Sequence, residues 1–250
     1  MEQSKYALVV LLLLGSCLSG CLSESPSKAS ISLNVSADSY NGTLFESYAD
    51  GEKISSTNLT VEFDFSLTSS SSQLVTFGLD TMDGREPVTI NAMNDSLIQV
   101  EFFNHGIYDV TAFAIDEQNV QKNQTISIHV ELSIDWVESN TYEPKALAFD
   151  PIPLNGGPNP SMIEVNSVVE NPSLLEEFET GAQSVQITWN IVDEQNDVCQ
   201  KKTTQIQDGD SGDWYTIHFN TYQAHQLTIS YDDGQDSINV HHSLTLLYED

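Results

Sequence analysis

Apolar and polar residues alternate with a period of two along most of the chain, and no amphipathic helix of useful length interrupts the pattern. Alternation of this kind puts successive side chains on opposite faces of an extended backbone, so the apolar ones can be buried together only in half-buried strands. Val61, Phe63, Phe65 and Leu67 alternate with Glu62, Asp64 and Ser66, and Leu74 to Leu79 follow a serine-rich turn. Ile98, Val100 and Phe102 alternate with polar partners, Val110 to Ile115 is apolar on both faces as a central strand is, and Ile126, Ile128, Val130 and Leu132 close the unit. The second half repeats the scheme with Val185, Ile187, Trp189 and Ile191, then Trp214 to Phe219, then Leu227, Ile229 and Tyr231, and last Ile238, Val240, Leu244 and Leu246. An all-β chain with two tandem sandwiches, over residues 30–133 and 134–250, is predicted. The stretch EPKALAFDPIPLNGGPNPSM is rich in Pro, Gly and Asn and cannot be continuous sheet, so residues 134–160 are read as an irregular entry to the second sandwich. In PSLLEEF, Ser173 and Glu176 have capping-box spacing, which permits one or two helical turns.

The N-terminus reads as an address. Lys5 precedes an apolar run from Tyr6 to Leu14, too short for the roughly 20 residues a spanning helix needs. It fits the core of a signal peptide. Leu18-Ser19-Gly20-Cys21 resembles the lipobox of prokaryotic lipoproteins, with an aliphatic residue three before the cysteine. That resemblance implies cleavage after residue 20, a diacylglyceryl group on the Cys21 thiol, and a short polar tether over residues 21–29. Two acyl chains give the stable attachment that one does not. The expected location is the extracytoplasmic face of a cell membrane. The alternative is that Cys17 and Cys21 are small residues in an uncleaved anchor.

The chain carries 37 acidic and 8 basic residues, a net charge of −29, and removal of Glu2 with Lys5 leaves that net unchanged. A polyanion without a basic patch repels phosphates, so nucleic acid is excluded as a partner and the body is expected to stand off anionic headgroups. Of three cysteines, Cys17 would leave with the signal and Cys21 would carry lipid, so Cys199 has no intrachain partner. It is read as a buried small hydrophobe or a thiol that pairs between chains.

From Gly106 the chain reads GIYDVTAFAID, which resembles the late-strand signature of the PKD domain, an immunoglobulin-like β-sandwich of cell surfaces. The resemblance covers roughly residues 30–133 and implies non-catalytic binding or spacing modules. It gives Gly106 a tight approach to the strand, Tyr108 a buried ring with a hydrogen-bonded hydroxyl, and Asp116 the closing of the next turn. The chain departs from the family at FGLDTMDG, from Phe77 to Gly84, which lacks the usual tryptophan, so the wider immunoglobulin-like class is the safer assignment. HQLTISYDDGQD, from His225, resembles the same segment more faintly.

The most suggestive polar cluster is Asp208, Asp210 and Asp213 in DGDSGD. Calcium takes six to eight oxygen ligands, several of which such a turn can offer, although Gly212 breaks the EF-hand pattern. The alternative is a solvated acidic turn; Asp232, Asp233 and Asp236 form a second, weaker candidate. The six histidines are scattered, with only His241 and His242 adjacent, and strand neighbours face opposite ways. His242 falls on the apolar face as a core histidine, and no zinc-site spacing is present. No cofactor is implied beyond possible calcium. Glycosylation sequons stand at Asn34, Asn41, Asn58, Asn94 and Asn123, all in the first half, while Asn171 is disqualified by Pro172. No G-x-S-x-G elbow, H-E-x-x-H or phosphate-cradling loop occurs. The expected function is a membrane-anchored, non-catalytic binding, adhesion or spacer module for a protein or glycan ligand. The alternatives are an accessory lipoprotein docked to a membrane complex and a surface hydrolase.

Overall fold

The computed structural model of the protein describes residues 30–173, 183–234 and 236–249. The signal peptide, Cys21 with its tether, and most of PSLLEEF lie outside the described residues. Among those described every regular element is a strand.

The first half contains β1 (Ile31–Ser32), β2 (Ser36–Ala37), β3 (Asn41–Ala49), β4 (Glu52–Thr57), β5 (Leu59–Asp64), β6 (Ser69–Ser70), β7 (Leu74–Asp80), β8 (Val88–Asn91), β9 (Leu97–Phe102) and β10 (Gly106–Asp116). The 21-residue β11 (Gln121–Thr141) follows. The second half contains β12 (Leu147–Phe149), β13 (Met162–Glu170), β14 (Val185–Asp193), β15 (Val198–Ile206), β16 (Ser211–His218), β17 (His225–Asp233) and β18 (Ile238–Leu247).

The alternating strands bury their apolar faces in two clusters, each between facing sheets. In the first, β5 lies between β2 and β9, and its inward Val61 and Phe63 join Val100 and Phe102 of β9. They pack against Phe77 and Leu79 of β7, Val110 and Ala112 of β10, and Ile126 and Ile128 of β11. In the second, the sheet β12-β17-β14-β15 faces β16, β13, β18 and the end of β11 around Trp136, Trp189 and Trp214. Interdigitation of inward side chains between facing sheets is what makes each pair of layers bury its apolar faces.

The expected division at residue 133 falls inside β11. Ile126, Ile128 and Val130 belong to the first core and Ile134 and Trp136 to the second, all on one face, and Leu132 packs against both. Pairing passes over at the same place. β10 is antiparallel to β11 from Gln121 to Val130, and β18 from Leu132 to Thr141. β3 runs parallel to β11 from His129 to Val137 on the opposite edge, across the junction. Residues 134–141, read from sequence as irregular, are therefore strand, because Ile134, Trp136 and Glu138 continue the buried phase. Glu138 is tolerated inside because its carboxylate accepts the Trp136 indole N–H at 2.9 Å and the Lys145 amide at 3.1 Å.

The residues singled out near Gly106 sit as their chemistry suggests. The Tyr108 ring is buried and its hydroxyl donates to the Asn104 carbonyl at 2.8 Å. Gly106 has φ +149°, and a Cβ there would meet the Asn155 amide at 2.8 Å. That amide in turn donates to the Ile107 carbonyl at 2.8 Å. Asp116 is fully buried and its Oδ1 accepts the amides of Gln118 and Val120, both at 2.9 Å. Asn119 completes the turn in the left-handed region at φ 59°, which asparagine tolerates better than most residues. Asp116→Ala is expected to lower stability by about 1–3 kcal/mol by stranding these donors. Asp116→Asn, which keeps an acceptor, should cost less in the same chemical denaturation experiment.

Candidate functional site

One end of the second sandwich gathers groups that the strands alone do not require. β14 turns into β15 through Asp193, Glu194, Gln195 and Asn196, repeating the Asp-Glu-Gln-Asn of the Asp116 turn in sequence and geometry. Asp193 Oδ1 accepts the amides of Gln195 and Asp197, both at 2.9 Å, and Asn196 takes φ 63°. This turn is latched to the loop from β16 to β17. Gln223 donates to Asp193 Oδ2 at 3.4 Å, and the Ala224 amide to Glu194 Oε1 at 3.2 Å. Beside the latch lies an open recess of about 320 Å³. Ala148, Phe149 and Ala224 make its walls apolar, while Asp150, Asp193 and Glu194 place carboxylates around them. Phe219 and Tyr222, on the same β16–β17 loop, are 68% and 77% exposed.

Against this recess sits a cluster of three metal-ligating side chains, Cys199 of β15, His218 of β16 and His225 of β17. The Cys199 sulfur and one ring nitrogen of each histidine lie within 4.8 Å of one another. The histidine rings meet edge to face at 4.7 Å, and Phe149 packs on His225 at 5.7 Å. His225 Nε2 is 2.9 Å from the Asn220 carbonyl. A carbonyl only accepts, so Nε2 carries the proton and Nδ1 is left as a lone pair. Nδ1 is buried without a hydrogen-bond partner, and so is His218 Nε2. Burial, aided by neighbouring His225, holds His218 below the usual histidine range, which keeps its ring neutral. Burial together with Asp193 and Asp197 pushes the Cys199 thiol up.

Cys199 is exposed, contrary to its reading as a buried hydrophobe, because β15 is the edge strand of its sheet and shows most of its residues to solvent. Among the described residues Cys199, His218 and His225 are the one metal-competent group of three, where the sequence suggested no zinc site. Asp208, Asp210 and Asp213 are not brought together. Their turn is organised by backbone instead: the Asp210 amide donates to Gln207, Gly209 donates to the Asn171 carbonyl at 2.8 Å, and Asn171 donates to the Asp210 carbonyl at 2.9 Å. Asp208 accepts from Ser173 at 3.1 Å, and Asp213 lies out on β16 with its side chain exposed. Asp232 accepts the Thr188 hydroxyl at 2.6 Å.

His242 is a core histidine, fully buried, with Nδ1 2.8 Å from Ser167 Oγ and Nε2 without a partner, while His241 points outward to Asp135 at 2.6 Å. Asn34, Asn41, Asn58, Asn94 and Asn123 are all exposed. No described helix is long and apolar enough to cross a membrane.

No protein-family model matches the chain, and no curated protein matches it. Among solved structures it is similar to a carbohydrate-binding module of the β-sandwich superfamily, at 10% identity and TM-score 0.33, covering 85% of this chain and 96% of that one. It is also similar to the M60 catalytic domain with two CBM51 domains of Clostridium perfringens ZmpB, at 8% identity and TM-score 0.26, covering 89% of this chain and 32% of that one. A third is the Bacteroides ovatus mixed-linkage glucan utilization locus protein SGBP-B in complex with a heptasaccharide, at 10% identity and TM-score 0.23, covering 81% and 51%. The chain thus spans about a third and about half of the last two.

Proposed function

We propose that the chain is a non-catalytic binding module, carried on the extracytoplasmic face of a cell membrane by lipid on Cys21, which takes a glycan or protein ligand at the loop end of the second sandwich. The recess beside the latched turns carries this reading. Its volume of about 320 Å³ suits a small ligand or one side chain of a larger one. Apolar walls with a few placed polar groups are the usual composition of such sites. The exposed rings of Phe219 and Tyr222 would add rigid contact area at low entropic cost. Residues 30–133 are read as a PKD-like spacer that holds this end away from the membrane, a reading supported by Gly106, Tyr108 and Asp116.

Full-length protein in detergent, tested against a panel of polysaccharides and extracytoplasmic proteins, should retain at least one ligand. Tyr222→Ala, at an exposed position, should weaken that ligand by about tenfold, near 1.4 kcal/mol. Equal binding by the variant would remove the exposed rings of the β16–β17 loop from the proposal, and no ligand retained by the wild type would remove the recess as well. The lipid is tested separately: Cys21→Ser should move the protein from the membrane to the soluble fraction, and retention in the membrane would refute the anchor. The net charge of −29 favours a second reading, docking to a basic membrane complex, for which crosslinking in intact cells should recover one partner at fixed ratio.

A further inference from the structure

We propose that Cys199, His218 and His225 form a binding site for a thiophilic transition-metal ion, with zinc as its resident. One thiolate and two imidazoles are the donor set of zinc and copper sites, whereas calcium and magnesium need oxygen. Bound zinc holds sulfur at about 2.3 Å and nitrogen at about 2.0–2.1 Å, so tetrahedral donors stand about 3.3–3.7 Å apart. The three atoms here lie within 4.8 Å of one another, and small side-chain rotations close the difference.

Two unpaired nitrogens distinguish this cluster from a chance meeting of side chains. Buried polar atoms are almost always hydrogen-bonded, and leaving one unpaired costs about 1–3 kcal/mol. His218 and His225 are 5% and 2% exposed, and each holds one buried nitrogen without a partner. His225 also carries the outer contact expected of a metal ligand. Its Nε2–H donates to the Asn220 carbonyl, which fixes the tautomer and ring orientation and leaves Nδ1 free to coordinate.

The three ligands come from both layers of the sandwich: β15 and β17 belong to the four-stranded sheet and β16 to the nine-stranded one. An ion held by all three would fasten the two sheets at the end where the recess lies. Three protein ligands leave a tetrahedral ion one open position, and exposed Cys199 puts the ion near solvent. His225 also lines the recess, so the ion would sit at its wall, and metal uptake is measured with no recess ligand present.

Full-length protein without an added histidine tag, purified in detergent and stripped with a chelator, should take up one equivalent of zinc. Cobalt in its place should give tetrahedral visible bands with a sulfur-to-metal charge-transfer band. Cys199→Ser, an exposed change that leaves the fold intact, should abolish the charge-transfer band and weaken zinc by more than about 100-fold, beyond the loss typical of an outer-contact change. His218→Gln should weaken zinc comparably. Copper bound through the same residues would uphold the site and replace zinc as its resident. No uptake of zinc, cobalt or copper by the wild type, or zinc retained at full affinity by both variants, would overturn it.

Discussion

Ile134→Pro is expected to unfold both halves of the protein in one step. β11 pairs on both edges at this position, with Leu244 of β18 and with Glu46 of β3. Proline lacks the one N–H that this residue can give to a ladder, and it is confined to edge strands and bulges in natural sheets. The substitution also removes a buried isoleucine, a loss of about 2–5 kcal/mol by itself when truncated to alanine. Added to the broken ladder, this approaches the whole stability of about 5–15 kcal/mol typical of a domain. Leu132 touches both cores and β3 crosses the junction, so the first sandwich should not outlive the second. All three tryptophans lie in the second core, so their fluorescence reports on that half alone. Hydrogen exchange in β5 and β9 reports on the first. In the wild type the two probes should give one coincident urea transition. Fragments cut between Ser133 and Ile134 should both fail to fold, and Ile134→Val should cost only about 0.5–1.5 kcal/mol. Two separated transitions in the wild type would show that β11 joins independent domains.

The strands with strict alternation were legible because one face of each is buried and the other wet. β5, β9 and β14 carry apolar residues through their buried phase, and β17 and β18 do so except at His225 and His242. β15 was not legible: VCQKKTTQI is an edge strand with most residues exposed, so its sequence has no buried phase to display. β4 is exposed at every residue and equally silent. The join between the halves failed for a different reason. The alternation through Ile128 and Val130 continues unbroken into Ile134 and Trp136, but the Pro-rich segment beyond suggests a boundary that the backbone does not make. Asp-Glu-Gln-Asn recurs at residues 116–119 and 193–196, and the structure shows that the two copies form the same turn.

The candidate metal cluster was legible only in pieces. His218 falls in phase with buried Trp214, and His225 in phase with buried Leu227 and Ile229, so each histidine occupies an inward position at a strand end. Their convergence with Cys199 depends on β16 and β17 belonging to different sheets and on β15 closing against β16, where Gln200 donates to the Ile217 carbonyl at 3.1 Å. Long-range pairing of this kind leaves no local spacing. Conversely, DGDSGD gathers carboxylates within one short turn, yet Gly209 at φ 76° and buried Asn171 account for its shape through backbone hydrogen bonds.

Acid should destabilise the second core through His242. Burial, with His241 adding, pushes its pKa down to about 3 in the folded protein, against about 6.5 for an unperturbed histidine. Between those values the unfolded chain binds a proton that the folded chain does not. Stability is therefore complete above about pH 6.5 and is lost as pH falls, by up to about 1.4 kcal/mol per pH unit. At about pH 4.5 the loss from this residue reaches about 3 kcal/mol. Burial lowers His105 as well, with the Asp150 carbonyl and charge opposing, so its contribution has the same sign. Burial seats the ring against Ser167, whose Oγ accepts the Trp189 indole N–H at 2.7 Å and sits 2.8 Å from His242 Nδ1. With its hydroxyl hydrogen directed at Nδ1, the chain of bonds requires a neutral ring, and protonation would set two donors against each other beside fully buried Trp189. Protonation of the many carboxylates acts the other way by relieving repulsion in a chain of net charge −29, so the wild-type profile alone is ambiguous. The comparison that isolates the histidine is His242→Gln, which has no ring to titrate and leaves the carboxylates in place. Urea denaturation followed by tryptophan fluorescence, from about pH 7 to about pH 4.5, should show the variant less stable at neutral pH but flatter by up to one proton's slope. Parallel profiles for the two proteins would mean that His242 is protonated in the fold at low pH without cost, and that the Ser167 hydroxyl turns to accommodate it.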